Sequence, residues 1–467
     1  MKAKENILIV GAGLCGSLLA LRLGQRGYKV TVMESRPDLR KVDISAGRSI
    51  NLAFSDRGIK AMNMVGIADK VMPLCIPMHG RLVHDVEGNT FMSNYSGRED
   101  EYINSISRGD LNALLLTEAE AHKAVEISFN KKCTKIDIEE NVATFYCSET
   151  DTTFDIKADV IIGTDGAGSI LRKSYYLERK FLFSFSQNFL SHGYKELNIP
   201  PTATGGFRTE KNALHIWPRG DYMIIALPNL DGSFTVTLFL SYDEGEYNFN
   251  NLTTPERVQE FFEAQFPDLI PLIPDLTTEY FENPTAPLGT VKCSPWSYKN
   301  NTLLMGDAAH AIVPFYGQGM NASFEDVVVL NEVLDQHEGD WEAVFKAYEK
   351  ARKKDTDAIA DLAIDNYYEM RDHVANPIFM EKRKLEMDLE KTFPQQYFSK
   401  YSMVTFNEEI PYSKAMEIGR AQDKALLNMI ADDEIDTTAD LQDILKKVQA
   451  ETNEILDEDQ VARTMRH

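Results

Sequence analysis

Gly11, Gly13 and Gly16 stand between a β-branched run, Ile7-Leu8-Ile9-Val10, and a helix-periodic stretch from Leu14 to Arg26. Glycines at that spacing suit one kind of chemistry. The first permits a tight turn, the second lets a pyrophosphate approach the backbone, and the third lets helix and strand pack closely. The helix N-terminus at Leu14 then offers N–H groups and a partial positive charge to the phosphates. Glu34 closes the next strand-like run, Lys29 to Met33, where a carboxylate can accept hydrogen bonds from a ribose. The expected ligand is a dinucleotide. This turn alone does not separate a nicotinamide from a flavin.

A second group bears on that choice. Gly306-Asp307-Ala308-Ala309-His310 follows the apolar run Leu303-Leu304-Met305 and precedes Gly317-Gln318-Gly319-Met320-Asn321, which opens a helical stretch. Asp307 is a second carboxylate for a ribose, and His310 reads as structural. A glycine-rich helix start suits a long cofactor lying across a sheet, its dipole stabilising negative charge on a reduced flavin ring. FAD is the expected cofactor. Arg36, Arg40, Lys41 and Arg48 follow Glu34; they suit cofactor phosphates, including the 2′-phosphate of NADPH, or equally a solvated loop. No second G-x-G-x-x-G is present, so NADPH is expected as a transient co-substrate. There is no G-x-S-x-G elbow and no G-x-x-x-x-G-K-[ST] loop. His79 and His84 lack the i,i+4 spacing of a helical metal pair, and no metal site is expected.

The elements that position these residues read as follows. Strand, glycine turn, helix and strand at the N-terminus make a βαβ unit, so a parallel sheet is expected. Leu111 to His122 and Pro255 to Phe266 read as helices; Val125 to Phe129, Val142 to Cys147, Phe154 to Ile156 and Ala158 to Gly163 read as strands. Between Gly193 and Leu240, His215 to Trp217, Tyr222 to Leu227 and Phe234 to Leu240 alternate with Pro/Gly/Asp turns, giving a separate, mainly antiparallel sheet. Pro267 to Pro295 is proline-rich and expected to be irregular, and from Asn321 to His467 the period is helical. The chain of 467 residues has a formal net charge of −23, which argues against nucleic acid and against loose attachment to an anionic membrane. Five cysteines without a C-x-x-C pair fit a reduced, cytoplasmic protein. No apolar run reaches the ~18 residues of a spanning helix.

The resemblance carried by these motifs is specific. Gly306 to His310, Pro314 and Gly317-Gln318-Gly319 resemble the second FAD motif of the single-component flavin-dependent aromatic hydroxylases. Gly163-Thr164-Asp165-Gly166-Ala167-Gly168-Ser169, with Arg172, resembles their middle motif, which serves FAD and the passing nicotinamide. Further segments resemble the branch that hydroxylates L-kynurenine: Gly47 to Ala53, His192 to Leu197, Asn212 to Pro218, Phe234 to Phe239, Pro314 to Asn321 and Tyr401 to Phe406. The resemblance implies an α/β architecture: a Rossmann-like FAD-binding domain (1–72, 104–178, 290–345), an inserted, mainly antiparallel β-sheet substrate domain (73–103, 179–289) and a C-terminal helical region (346–467).

It also implies roles. Arg81, Tyr95, Asn366 and Tyr401 match residues that hold a substrate's amino-acid end; Leu214, Met223, Ile225, Phe239, Pro314 and Phe315 match the lining of its ring slot. Gly11, Gly13, Leu14, Gly16, Glu34, Arg36, Ala53, Arg108, Asp165, Asp307, Gly317, Gly319, Met320 and Asn321 are the expected cofactor contacts. Without the resemblance, Arg81 suits an exposed strand, Tyr401 a core aromatic, and the slot residues a sheet core. An Arg fork beside tyrosine hydroxyls nevertheless suits a carboxylate entering an acidic chain. The implied reaction is NADPH- and O₂-dependent hydroxylation of L-kynurenine to 3-hydroxykynurenine through a flavin C4a-hydroperoxide, in tryptophan catabolism. The rivals are a hydroxylase of the same fold acting on another aromatic amine or acid, and a flavin-fold binding protein without turnover. No covalent catalyst is expected, and the sequence leaves the oligomeric state open. Unlike the anchored members, this chain has an acidic C-terminus. Leu441, Ile444, Leu445 and Val448 form one face of a helix there, expected to pack on the helices rather than enter a membrane.

Overall fold

Short β-branched runs form buried strands when both faces of a sheet are covered. Asn6–Val10 is such a strand, paired in parallel with Lys29–Met33 on one side and Val160–Gly163 on the other, so that Ile9 lies opposite both Val32 and Ile162. The computed structural model describes residues 5–41, 51–337, 339–370, 377–431 and 440–464. Its six-stranded sheet runs in the order Ser297–Tyr298, Thr302–Leu304, Val160–Gly163, Asn6–Val10, Lys29–Met33 and Val125–Ser128. Ile7, Leu8, Ile9, Val32, Ile161 and Ile162 are fully buried with Leu18, Leu115 and Leu330 of the covering helices. Burial of each such side chain contributes about 1.5–3 kcal/mol.

A seven-stranded sheet runs in the order Thr285–Ser294, Ser184–Ile199, Phe234–Ser241, Met223–Pro228, Leu214–Pro218, Gly80–His84 and Thr90–Asn94. One face of this sheet, with Trp217, Ile224, Ala226, Val236 and Leu238, packs against Val258, Phe261 and Phe262 of the helix Pro255–Gln265. Behind Trp217, the His84 ring stacks on the indole at 4.1 Å and bonds Asp268 (2.7 Å) and His215 (3.0 Å).

The expectation of irregular chain across Pro267 to Pro295 is overturned. A short 3₁₀ turn (Ile270–Leu272), the helix Leu276–Glu282 and the ten-residue strand Thr285–Ser294 occupy it. Pro287 is tolerated there because this strand is the last in its sheet, where a missing N–H need not break a ladder on both sides.

The chain forms two compact units. The first comprises Met1–Cys75, Ser105–Leu190 and Pro287–Ala360; the second comprises Ile76–Asn104, Ser191–Ala286 and Asp361–His467. The C-terminal helices from residue 361 thus belong with the antiparallel sheet. Ile444, Leu445 and Val448 are buried against Leu385, Leu389, Tyr397, Leu426 and Met429, so the apolar face of the last helix packs on its helical neighbours. No helix among the described residues is long and apolar enough to cross a membrane.

Candidate functional site

In the first unit the glycine turn is tight on one side and open on the other. Gly11 has φ +101, and its N–H donates to Met33 O (2.8 Å). A side chain at Gly16 would come within 2.0 Å of Gly11 O, whereas one at Gly13 would meet nothing within 4 Å. The helix Leu14–Gln25 therefore starts on a cleared space, with Leu14 buried beneath it. Glu34 is buried and accepts from Ala12 N–H (2.7 Å), Arg36 N–H (2.9 Å) and Arg36 Nε (2.9 Å). Burial raises its carboxyl, but these partners outweigh it and the net shift is downward, so Glu34 is an ionised acceptor.

The second and middle motifs meet in this unit. Arg172 donates from Nη1 to Ala308 O (2.7 Å) and from Nη2 to Ala167 O. Asp165 accepts from Ile170 N–H (2.6 Å) through one oxygen, while the other is buried with no hydrogen-bond partner among the described residues; burial pushes this carboxyl up. Asp307 is exposed on the first turn after Gly306. Asn321 is spent on the protein: it donates to Ala53 O (2.8 Å) and Gly317 O (3.0 Å) and accepts from Ser55 N–H (3.2 Å). It fixes Ala53 beside Gly317, whose φ of +67 suits glycine, while Gly319 and Met320 open the helix Gly319–Gln336. Pro314 and Phe315 form the 3₁₀ turn before Gly317. Arg108 is exposed at the start of the helix Arg108–Glu120.

The basic run after Glu34 is drawn into ion pairs. Arg36 is paired with Glu34, Arg40 with Asp38 (2.8 Å) and Glu120 (2.7 Å), and Lys41 with Asp38 (3.5 Å). Arg48 lies outside the described residues. The cleared space at Gly13, the ionised Glu34, the unpaired Asp165 oxygen and the exposed Asp307 fit a dinucleotide with two riboses.

Sequence reasoning missed the frame behind this site. Asp326 is fully buried and accepts from Gly306 N–H (3.0 Å), His310 Nε2 (2.6 Å) and Arg352 Nε (2.8 Å). The guanidinium of Arg352 also reaches Glu325, which receives Arg57. His310 is thus structural, as expected. The available signal was a carboxylate on an otherwise apolar helix face, Phe324 to Leu330.

In the second unit strand register sorts the expected slot residues. Arg81 lies opposite Leu214, Ile216 opposite Ile225, and Met223 opposite Phe239. With alternation along each strand, Arg81, Leu214, Met223, Ile225 and Phe239 share the face away from the Trp217 core. Arg81 lies 4.8 Å from the Tyr401 ring centroid and 5.5 Å from that of Tyr95, and the two rings stack at 5.5 Å, 8° apart. Burial pushes both phenols up, so both are neutral O–H donors; the Arg81 charge opposes the shift at each. Asn366 is buried on the helix Trp341–Tyr368 and donates to Met370 Sδ (3.3 Å).

Residues 4–363 match the family described as FAD binding domain. The chain is 46% identical over 420 residues to kynurenine 3-monooxygenase of Myxococcus xanthus, covering 90% of this chain and 89% of the relative. It is 44% identical over 448 residues to kynurenine 3-monooxygenase of Flavobacterium johnsoniae, covering 96% and 99%. The chain belongs to the kynurenine 3-monooxygenase family. Its fold is similar to that of 2-methyl-3-hydroxypyridine-5-carboxylic acid oxygenase (TM-score 0.64, 21% identity, 85% of this chain and 99% of that one). The protein is an FAD-dependent monooxygenase, and kynurenine 3-monooxygenase relatives span nearly its full length.

Proposed function

We propose that this chain hydroxylates L-kynurenine to 3-hydroxykynurenine with NADPH and O₂, as a cytoplasmic enzyme. The observation that carries the substrate assignment is the guanidinium of Arg81 on the stacked Tyr95 and Tyr401, at the edge of an apolar sheet face. A cation and neutral phenols suit the carboxylate of an amino acid, and Leu214, Met223, Ile225 and Phe239 suit its aromatic ring.

The Gly11–Gly16 turn, Glu34, Asp165, Asp307 and the backbone at Gly317–Asn321 would hold FAD. The chemistry that the flavin contributes when bound is acceptance of electrons from the nicotinamide and activation of dioxygen. The chain's own residues bind and orient. Arg81, Tyr95, Tyr401 and Asn366 fix the amino-acid end, which sets the ring carbon beside the aniline nitrogen toward the reacting oxygen. The apolar face of Leu214, Met223, Ile225 and Phe239 keeps water from the ring. No side chain forms a covalent bond to substrate.

Product analysis by mass spectrometry, after mixing the protein with FAD, NADPH, air and L-kynurenine, tests this reading. A hydroxylated kynurenine is expected. Hydroxylated product from another aromatic amine or acid in a matched panel, and none from kynurenine, would favour a related hydroxylase; no NADPH oxidation stimulated by any of them would favour a flavin-binding protein without turnover.

A further inference from the structure

Two chain segments carry Tyr95 and Tyr401, and one helix holds both. Gly97 runs directly against the helix Pro377–Thr392: a side chain there would come within 2.4 Å of Met387 O and 2.7 Å of Lys391 N. Glu390, with a fully buried side chain on that helix, accepts from Gly97 N–H (3.1 Å) through one oxygen and from Ser399 N–H (2.8 Å) through the other. Arg98 stands 3.3 Å from the same carboxylate and donates to Pro394 O (2.9 Å) and Tyr397 O (2.5 Å). Two helical turns before Glu390, Arg383 donates to Asn94 O (3.1 Å) and Tyr95 O (2.5 Å). The short helix Lys400–Thr405, which carries Tyr401, begins at the Ser399 cap and is tied through Lys400 to Asp423. Glu390 thus bridges a backbone N–H two residues after Tyr95 to one two residues before Tyr401.

We propose that Glu390 and Arg383 are positioning residues that set the spacing of Tyr95 and Tyr401 beneath Arg81, and so set the affinity for the carboxylate of an amino-acid substrate. This rests on the reading of Arg81, Tyr95 and Tyr401 as the carboxylate site. A carboxylate is suited to the task because it accepts from two segments at once. An amide of the same shape would turn an NH₂ group toward one of the two N–H donors, leaving that donor buried and unpaired. The segment would shift, and a small displacement of a binding group is costly to a ligand held at several points.

The test uses the full-length holoenzyme, L-kynurenine and its decarboxylated counterpart, with binding read from the change in flavin absorbance and turnover from product. The wild type should bind L-kynurenine more tightly than the decarboxylated amine. Glu390→Gln should weaken L-kynurenine about tenfold in Kd and KM, leave the amine and the FAD content unchanged, and change kcat less than twofold. Arg383→Lys, which keeps the charge but not the fork, should show the same pattern more weakly and carries the test if Glu390→Gln does not fold. Val258→Ala, in the core on the other sheet face, should lower the Tm without moving either Kd. Equal weakening of both ligands by the helix variants, or none, overturns the proposal. A wild type that does not distinguish the two ligands overturns the carboxylate-site reading instead.

Discussion

Gly13→Val separates binding from folding in a way that the neighbouring glycines do not. Gly13 has φ −70 and ψ −175, an ordinary extended conformation for valine, and a Cβ there would meet no neighbouring heavy atom within 4 Å. The apoprotein should therefore not be destabilised by more than about 0.5 kcal/mol, because the folded conformation is unstrained and the unfolded ensemble loses a glycine. The added methyls project into the space that a pyrophosphate needs to reach the helix N-terminus. If two charge-assisted hydrogen bonds at about 1.5–3 kcal/mol each are lost, the cofactor weakens by about 3–6 kcal/mol, roughly two to four orders of magnitude in Kd. The assay pairs flavin absorbance per chain after purification with thermal unfolding of the apoprotein. Gly16→Ala is the contrast, because its methyl would press within 2.0 Å of Gly11 O and should destabilise the apoprotein itself. A Gly13→Val protein that keeps one FAD per chain would refute the cradle. One whose apoprotein unfolds many degrees early would show that the turn's openness is not a ligand space.

Arg81→Met should raise KM for L-kynurenine roughly ten- to a hundredfold with FAD content unchanged, by loss of a charge-assisted pair worth about 1.5–3 kcal/mol; steady-state kinetics decides, and an unchanged KM would make Arg81 a plain strand residue. Burial holds His215 down to about 4 from 6.5, so the unfolded chain binds more protons between those values and stability falls as the pH drops through the window. From pH 7 to pH 5 the loss should be about 2 kcal/mol, visible as a lower Tm, and His215→Gln should flatten that dependence; an identical slope in the variant would assign it to other groups. Ending the chain at residue 431 should lower the Tm, because Ile444, Leu445 and Val448 are almost completely buried against the neighbouring helices; an unchanged Tm would mean that this packing does not stabilise the unit.

Local signals made part of this molecule legible. The βαβ start is written in contiguous residues, Ile7 to Glu34, whose periods and glycines need no distant partner, and the structure places its elements within a residue or two of the reading. The antiparallel strands around Trp217 and Phe239 were visible for the same reason. Thr285–Ser294 was not, because its proline, Pro287, is acceptable only at a sheet edge, and edge position is a property of the assembled sheet. Glu390 was equally invisible: its partners at Gly97 and Ser399 are brought to it by packing, and in the chain it is one more glutamate in a charged helix. The cations after Glu34 show the reverse. Their types suited phosphates or a solvated loop equally, and only packing shows that Asp38 and Glu120 claim Arg40.

The pairing of Gly80–His84 with Leu214–Pro218 has a consequence for how the protein is made. These strands lie side by side, with His84 and His215 separated by 131 residues. Closing so long a loop costs about 4 kcal/mol of chain entropy before any sheet contact offsets it. On the ribosome the early strand must wait for more than a hundred residues of chain, and the tyrosine-bearing helix near residue 401 emerges later still. Refolding is therefore expected to be slow, with the sheet edge at Arg81 among the last parts to order, and slower synthesis at reduced temperature should favour recovery of active protein.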